Sequence, residues 1–228
     1  MIVSIHQPQF LPYLGFFHKV AHSDLLVHLD DVQFLERGHQ HRNEIKMQTG
    51  KQWLTVPVVQ QRGQTIDQVV IDTGTNWRRK QWAALESNYR PAPFFKELAP
   101  GLKQILLEGT QTRLLDLDLD LLHWAFEVLE LRMPTRRSSE LQVSGTQTER
   151  LVSICQAVGA TVYLSGQGGR LYMELALFEA AGIEVRFQEF HAPSYPQLFM
   201  QHGFIANLSV VDALFGCGRG ARELIAAR

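Results

Sequence analysis

Hydrophobic positions open the chain as a short β-type run at residues 2–5, Ile-Val-Ser-Ile. It stops at His6-Gln7-Pro8-Gln9-Phe10-Leu11-Pro12, where two prolines fix φ and remove ladder donors. Phe16, Phe17, Val20 and Ala21 then repeat at the spacing of a short buried helix, and residues 25–29 form a mostly apolar second strand. An apolar strand of this kind is buried on both faces, so the pair reads as a parallel βαβ unit despite its short connection. Residues 30–50 are polar and irregular and read as a loop over the sheet's end. Residues 53–58 and 66–71 are β-type runs separated by a turn-like Gln60-Gln61-Arg62-Gly63-Gln64, which predicts an antiparallel excursion.

Helical periodicity follows at residues 77–89, 93–107 and 114–131. The last contains Leu-Asp-Leu-Asp-Leu-Asp-Leu, which alternates like a strand, yet on a helical wheel Asp116, Asp120, His123, Glu127 and Glu130 share one arc. Asp118 is the exception, projecting into the apolar arc, where an ionised carboxylate needs a partner: a salt bridge, a backbone cap, or a role in a site. Thr146-Gln-Thr-Glu149 is a capping box, and Gly159 sits where a helix ends. A strand at 161–164, a glycine loop Ser165-Gly166-Gln167-Gly168-Gly169, a helix at 171–181 and a strand at 183–187 complete a second βαβ unit. The fold class is therefore α/β: a mostly parallel Rossmann-like sheet flanked by helices, with a β excursion and a helical insertion at about 76–132. No linker, repeat or low-complexity segment divides residues 1–228, so one domain is expected.

Composition changes this picture little, but it removes several functions. With 45% apolar and 20% charged residues a large core is available and wholesale disorder is excluded. Lys and Arg total 22 against 23 Asp and Glu, which leaves no overall basic footprint for nucleic acid. The two cysteines, Cys155 and Cys217, make neither a disulfide framework nor a CxxC site, as in a reduced cytosolic protein. The first residues carry no basic n-region, and no apolar run approaches the ~20 residues that span a bilayer, so a soluble cytoplasmic chain without membrane insertion is expected.

Ligands of open parallel sheets bind beyond the carboxyl ends of the strands. His6, Asp30 and the 165–169 loop all follow predicted strands, so His6, Asp30, Arg42 and Ser165 are expected to line one pocket. The loop's glycines, Gly166 and Gly168 among them, suit a phosphate or carboxylate cradle, but a tight turn needing φ > 0 explains them equally. His39 and His41 have the spacing of two metal ligands without a third ligand nearby. The same segment reads alternatively as a solvated loop or as one that contacts an anionic substrate through Arg37, Arg42 and Lys46. His191, Tyr195 and Gln197 lie among Pro193 and Pro196 in a stiff segment that fits a pocket rim or a plain connection.

Several motifs together resemble the WbqC-like protein family. They are His6-Gln7-Pro8-x-Phe10-Leu11-Pro12-x-x-Gly15, Leu29-Asp30-Asp31-Val32-Gln33-Phe34, Arg42-Asn43-x-Ile45-Lys46, Tyr163-Leu164-Ser165-Gly166-x-Gly168, His191-x-Pro193-x-Tyr195-Pro196-Gln197 and Leu208-Ser209-x-x-Asp212. The resemblance implies a bacterial, cytoplasmic enzyme of O-antigen or other surface polysaccharide biosynthesis, and adds Gln7, Asn43 and Asp212 to the substrate-binding candidates. Gly216 stands where an Asn is common in the family, and Gln81 where a His is expected. More remotely, the opening is similar to the HxGH loop of nucleotidylyltransferases, though no histidine follows Gly15 directly.

These readings lead to a small-molecule transferase acting on a phosphorylated or nucleotide-linked substrate by nucleotidyl or acyl-type transfer. His6 and Asp30 are its catalytic candidates, and Arg42, Lys46 and the glycine loop carry negative charge. The alternatives are a non-catalytic scaffold and a metal-dependent hydrolase using Asp30 and Asp31. No cofactor is specified by the sequence, and no metal site is assigned.

Overall fold

A computed structural model describes residues 1–226. Five strands form one parallel sheet: β1 (Ile2–His6), β2 (Leu25–His28), and further along the chain β7 (Thr135–Arg137), β8 (Val162–Ser165) and β9 (Glu184–Phe187). Their order across the sheet is β7-β2-β1-β8-β9. The chain thus winds outward from β1 through β2 to β7, then crosses back to the other side of β1 and winds outward again. Reversal of that kind defines a topological switch point, here between β1 and β8. The α/β class and the parallel pairing of β1 with β2 agree with the hydrophobic pattern.

Alternation along the strands divides the core between the two faces. Val3, Ile5, Leu25, Val27 and Tyr163 point one way, onto Leu151, Ile154 and Cys155 of α5 (Gln147–Ala157) and Phe178 of α6 (Leu175–Ala180). Leu26 points the other way, into the larger core with Phe16, Phe17 and Val20 of α1 (Leu14–Ala21) and Val211, Leu214 and Phe215 of α7 (Val210–Cys217). The helices α2 (Trp77–Tyr89), α3 (Phe95–Leu106) and α4 (Leu114–Val128) extend that core. A short α8 (Glu223–Ala226) packs on α1.

Four local features depart from the pattern read in the sequence. Residues 42–47 are not loop but strand β3 (Arg42–Met47), paired antiparallel with β4 (Gly50–Thr55). Its buried positions include Asn43 and Lys46, so polar side chains disguised the burial. The run at 53–58 breaks after Thr55, with Pro57 following, and resumes as β5 (Val58–Val59), which pairs antiparallel with β6 (Val70–Ile71). Edge strand β7 is three residues with two arginines, too short and too basic to register as a strand. The 165–169 loop and the expected helix start merge into a 3-10 turn, Gln167–Leu171, and α6 begins only at Leu175.

Asp118 lies buried in α4 with both carboxylate oxygens lacking a partner, so the expected salt bridge or cap is absent among the described residues. Burial raises its pKa well above the ordinary carboxylate range, which keeps it protonated and reduces the cost of enclosing it.

Candidate functional site

The β1–β8 ladder runs only through Ile2↔Val162 and Val3↔Tyr163, whereas β1 and β2 stay paired as far as His6↔His28. Beyond Val3 the two central strands part, and a cleft of about 610 Å³ opens at their carboxyl ends. His6 and Gln7 enter it from the end of β1, Ser165 to Gly169 from the end of β8, Tyr13 and Lys19 from the start and body of α1, and Phe190 from the loop after β9. Among the described residues the lining contains no aspartate or glutamate.

Both sides of the cleft are held by the backbone and by buried amides. After His6 the chain runs through Phe10 and Leu11, both fully buried, with Leu11 in the left-handed region at φ 46°. Asn43 of β3 donates its amide to the Leu11 carbonyl at 2.7 Å, and the Phe10 N–H donates to the His39 carbonyl at 3.0 Å. On the other side the Gln188 N–H donates to the Ser165 carbonyl at 2.8 Å, while the Gln188 side chain donates to the Gly15 carbonyl at 2.7 Å. Gln188 thereby ties β8 to the start of α1 across the cleft. Gly169 has no room for a side chain, since a Cβ there would stand 2.3 Å from Ser165 Oγ.

Electrostatically the cleft is short of negative charge. The His6 ring lies edge-on to Phe16, with centroids 5.0 Å apart, and its Nδ1 lies 2.8 Å from the Gln7 carbonyl. A carbonyl only accepts, so Nδ1 carries the hydrogen and Nε2 keeps its lone pair. Burial, and then the nearby Lys19 ammonium, lower the His6 pKa from 6.5 to about 3. Lys19 itself is only 4% exposed, and burial lowers its pKa from 10.5 to about 7. Beside His6 in the sheet, His28 is lowered to about 4, chiefly by burial, and its Nε2 has no partner.

The structure brings together His6, Gln7, Ser165, Gly166 and Gly168 from the sequence-derived candidates and leaves the others outside this cleft. Asp30 is buried beneath the 3-10 turn at 138–140. It accepts from Ser138 Oγ at 3.1 Å, from the Ser139 N–H at 3.0 Å and from Ser139 Oγ at 2.7 Å. Its neighbour Asp31 pairs with Arg150 and accepts from Ser138 Oγ. Arg42 donates to the Arg37 carbonyl at 2.8 Å and lies over the Trp53 ring. His39 also sits near Trp53, and among the described residues no group of three His, Cys, Asp or Glu could hold a metal. His191 is exposed and outside the lining, although Phe190 just before it is in it.

Lys46, Tyr195, Gln197 and Asp212 converge in a second place, inside the core. Lys46 Nζ donates to Gln197 Oε1 at 3.0 Å and to the Gly203 carbonyl at 2.7 Å. Gln197 donates to Tyr195 and exchanges hydrogen bonds with both backbone groups of Ile205. Tyr89 receives the Lys46 N–H at 2.9 Å and donates to Asp212 Oδ1 at 2.7 Å. Burial lowers the Lys46 pKa and raises that of Asp212. This network fastens β3 to α2, α7 and the 195–205 segment, outside the cleft.

The model of the WbqC-like protein family matches residues 7–224. The chain belongs to the WbqC-like protein family. A relative from Mycobacterium tuberculosis, described as "Uncharacterized protein Rv1507c", is 35% identical over 227 residues, covering 98% of this chain and 96% of that one. No solved structure matches the chain. Gly216 and Gln81, where the resemblance led to an Asn and a His, each have a local contact. Gly216 sits where a Cβ would come within 2.4 Å of the Pro196 carbonyl, so the 196 segment closes directly on α7. Gln81 donates to the Thr55 carbonyl at 2.6 Å and so ties α2 to the end of β4.

Sequence reasoning passed over Lys19, Tyr13 and Gln188. Lys19 carried one signal, a lysine in a short helix whose residues 14–20 are otherwise mostly apolar or aromatic. Gln188 carried none, because its contact is with a residue 173 positions away.

Proposed function

We propose that this WbqC-like protein is a small-molecule transferase that binds a phosphorylated or nucleotide-linked substrate in the switch-point cleft. The observation that carries this reading is the meeting of His6 with the Ser165–Gly169 loop where β1 and β8 part. Backbone N–H groups in a tight glycine turn suit phosphate oxygens, and a lining without carboxylates does not repel them. His6, neutral and with Nε2 free to accept, takes a proton from the attacking hydroxyl or amine as that oxygen or nitrogen bonds to the phosphorus or acyl carbon and the donor's phosphate, pyrophosphate or thiolate leaves. Burial is the larger cause of the low His6 pKa, and an anion bound nearby offsets the second, the Lys19 charge, and so raises the basicity of His6. Assembly of a surface glycan precursor in the cytoplasm is the setting this reading supports, by way of the family.

A thermal-shift screen against nucleotides, sugar nucleotides, acyl-CoA and divalent metals tests it. Ligand at ~100 times its dissociation constant stabilises by about 2.7 kcal/mol. Stabilisation by a sugar nucleotide or acyl-CoA supports the transferase, whereas a flat response to every class supports the scaffold reading instead.

A further inference from the structure

Among the described residues two lysines are buried, and they are treated in opposite ways. Lys46 is closed off in the core and donates to Gln197, Met200 and Gly203. Lys19 is turned inward from α1 into the cleft, 4% exposed, and its ammonium has no hydrogen bond or ion pair among the described residues. The stem is buried while the Nζ, which is not among the fully enclosed partnerless atoms, reaches the open cleft, and a largely desolvated cation with no protein acceptor there is suited to an anionic ligand. Among the described residues the lining offers no carboxylate as a counter-ion.

We propose that Lys19 is the cationic anchor of the cleft, its ammonium taking a phosphate oxygen of the substrate while backbone N–H groups of residues 166–168 take others; the Gly169 N–H is already donated to the Gly166 carbonyl. The assignment rests on the phosphate-binding reading of the cleft and adds the residue that supplies charge to it. It also adds a proton. Burial leaves the Lys19 pKa at about 7 without ligand, so about half the molecules bind no proton there at pH 7, and a bound dianion restores the full charge. The other titratable groups facing the cleft are His6 from β1, Tyr163 from β8, and Tyr13 and Tyr172 from the loops. His6 is held low, and Tyr13 and Tyr163 are raised by burial, so none of these three changes charge between pH 7 and 9.

Binding above pH 7 therefore takes up a proton, and affinity for a fully ionised phosphate falls roughly 50-fold from pH 7 to pH 9 if the bound lysine regains its ordinary pKa. Isothermal titration with UDP, and separately with ADP, both essentially fully ionised above pH 7, reads this directly in buffers of different ionisation enthalpy. Wild type is expected to bind with up to one proton taken up at pH 9 and with that fall in affinity. Lys19→Met is expected to bind at least ~10-fold more weakly at pH 7 and to lose the proton uptake. Lys19→Arg is expected to keep binding but with a flat pH profile, because a guanidinium stays charged throughout. Wild-type binding that Lys19→Met leaves unchanged, or that proceeds without proton uptake at pH 9, overturns the assignment of Lys19 and leaves the cleft reading standing. Failure of both probes to bind wild type at any pH overturns both.

Discussion

Replacing Lys19 by methionine should make the ligand-free protein more stable, although it removes a residue of the site. Methionine nearly matches the lysine stem in volume and has no charge to desolvate. Depression of the Lys19 pKa from 10.5 to about 7 corresponds to an unfavourable contribution of at most about 5 kcal/mol, at about 1.36 kcal/mol per pKa unit. Water reaching the ammonium from the open side of the cleft and local relaxation reduce this, and a gain of about 2 kcal/mol at pH 6.5 is expected. The sign follows from proton binding: between pH 7 and 10.5 the unfolded chain holds this proton and the folded chain does not, so wild-type stability rises with pH across that window. Lys19→Met lacks this dependence, so its advantage is largest below pH 7 and shrinks toward pH 10. Thermal unfolding of both proteins at pH 6.5 and pH 10 measures it. At about 2–4 °C per kcal/mol for a chain of this size, the variant should melt about 4–8 °C higher at pH 6.5. A variant melting below wild type, or an advantage that does not change with pH, would refute the reasoning.

Four further outcomes are expected. His6→Ala should keep a melting temperature within a few degrees of wild type, because it forfeits about one neutral hydrogen bond, while losing at least ~100-fold in turnover with the substrate that the ligand screen identifies; near-normal turnover removes His6 from the chemistry. His6 and His28 are both depressed, to about 3 and about 4, so the unfolded chain binds more protons and stability drops as pH falls below 6.5. Each contributes roughly 2 kcal/mol of loss by pH 5, and denaturant titration of His28→Leu should show about half that acid dependence. Asp118→Ala removes two unpartnered buried oxygens and should stabilise the protein by about 1–3 kcal/mol at pH 7; the gain fades toward pH 3, where the unfolded carboxyl is protonated as well. Lys46→Met leaves Gln197 and the Gly203 carbonyl short of a donor and should destabilise by about 2 kcal/mol or more, with ligand affinity at the cleft unchanged in the folded fraction.

Much of the fold was legible because its central elements are local and apolar. The runs at 2–5, 25–29, 161–164 and 183–187 each carry their burial in their own composition, and each corresponds to a strand of the parallel sheet. Strand β3 was not legible, because Asn43 and Lys46 are buried by partners at positions 11, 197 and 203 that no local window contains. The site divides in the same way. His6 and Ser165 follow strands that the pattern identifies, so a rule about strand ends reaches them. Motif membership alone could not separate residues that face the cleft from those that hold the frame. Asn43 fixes the loop after His6, Asp30 caps the turn at 138–140, and Lys46, Tyr195, Gln197 and Asp212 form the core network, all through contacts made by folding.

The central claim is that phosphate binds where β1 and β8 part. Backbone amide shifts of labelled protein, followed by NMR while a sugar nucleotide that stabilises the fold is added, test it most directly. The account predicts saturable shifts centred on Gly166, Gly168, Gly169 and the start of α1, abolished together in a Lys19→Met, His6→Ala double variant. Saturable shifts centred instead on the 195–212 network or the 33–38 loop, with residues 166–169 unmoved, would contradict it.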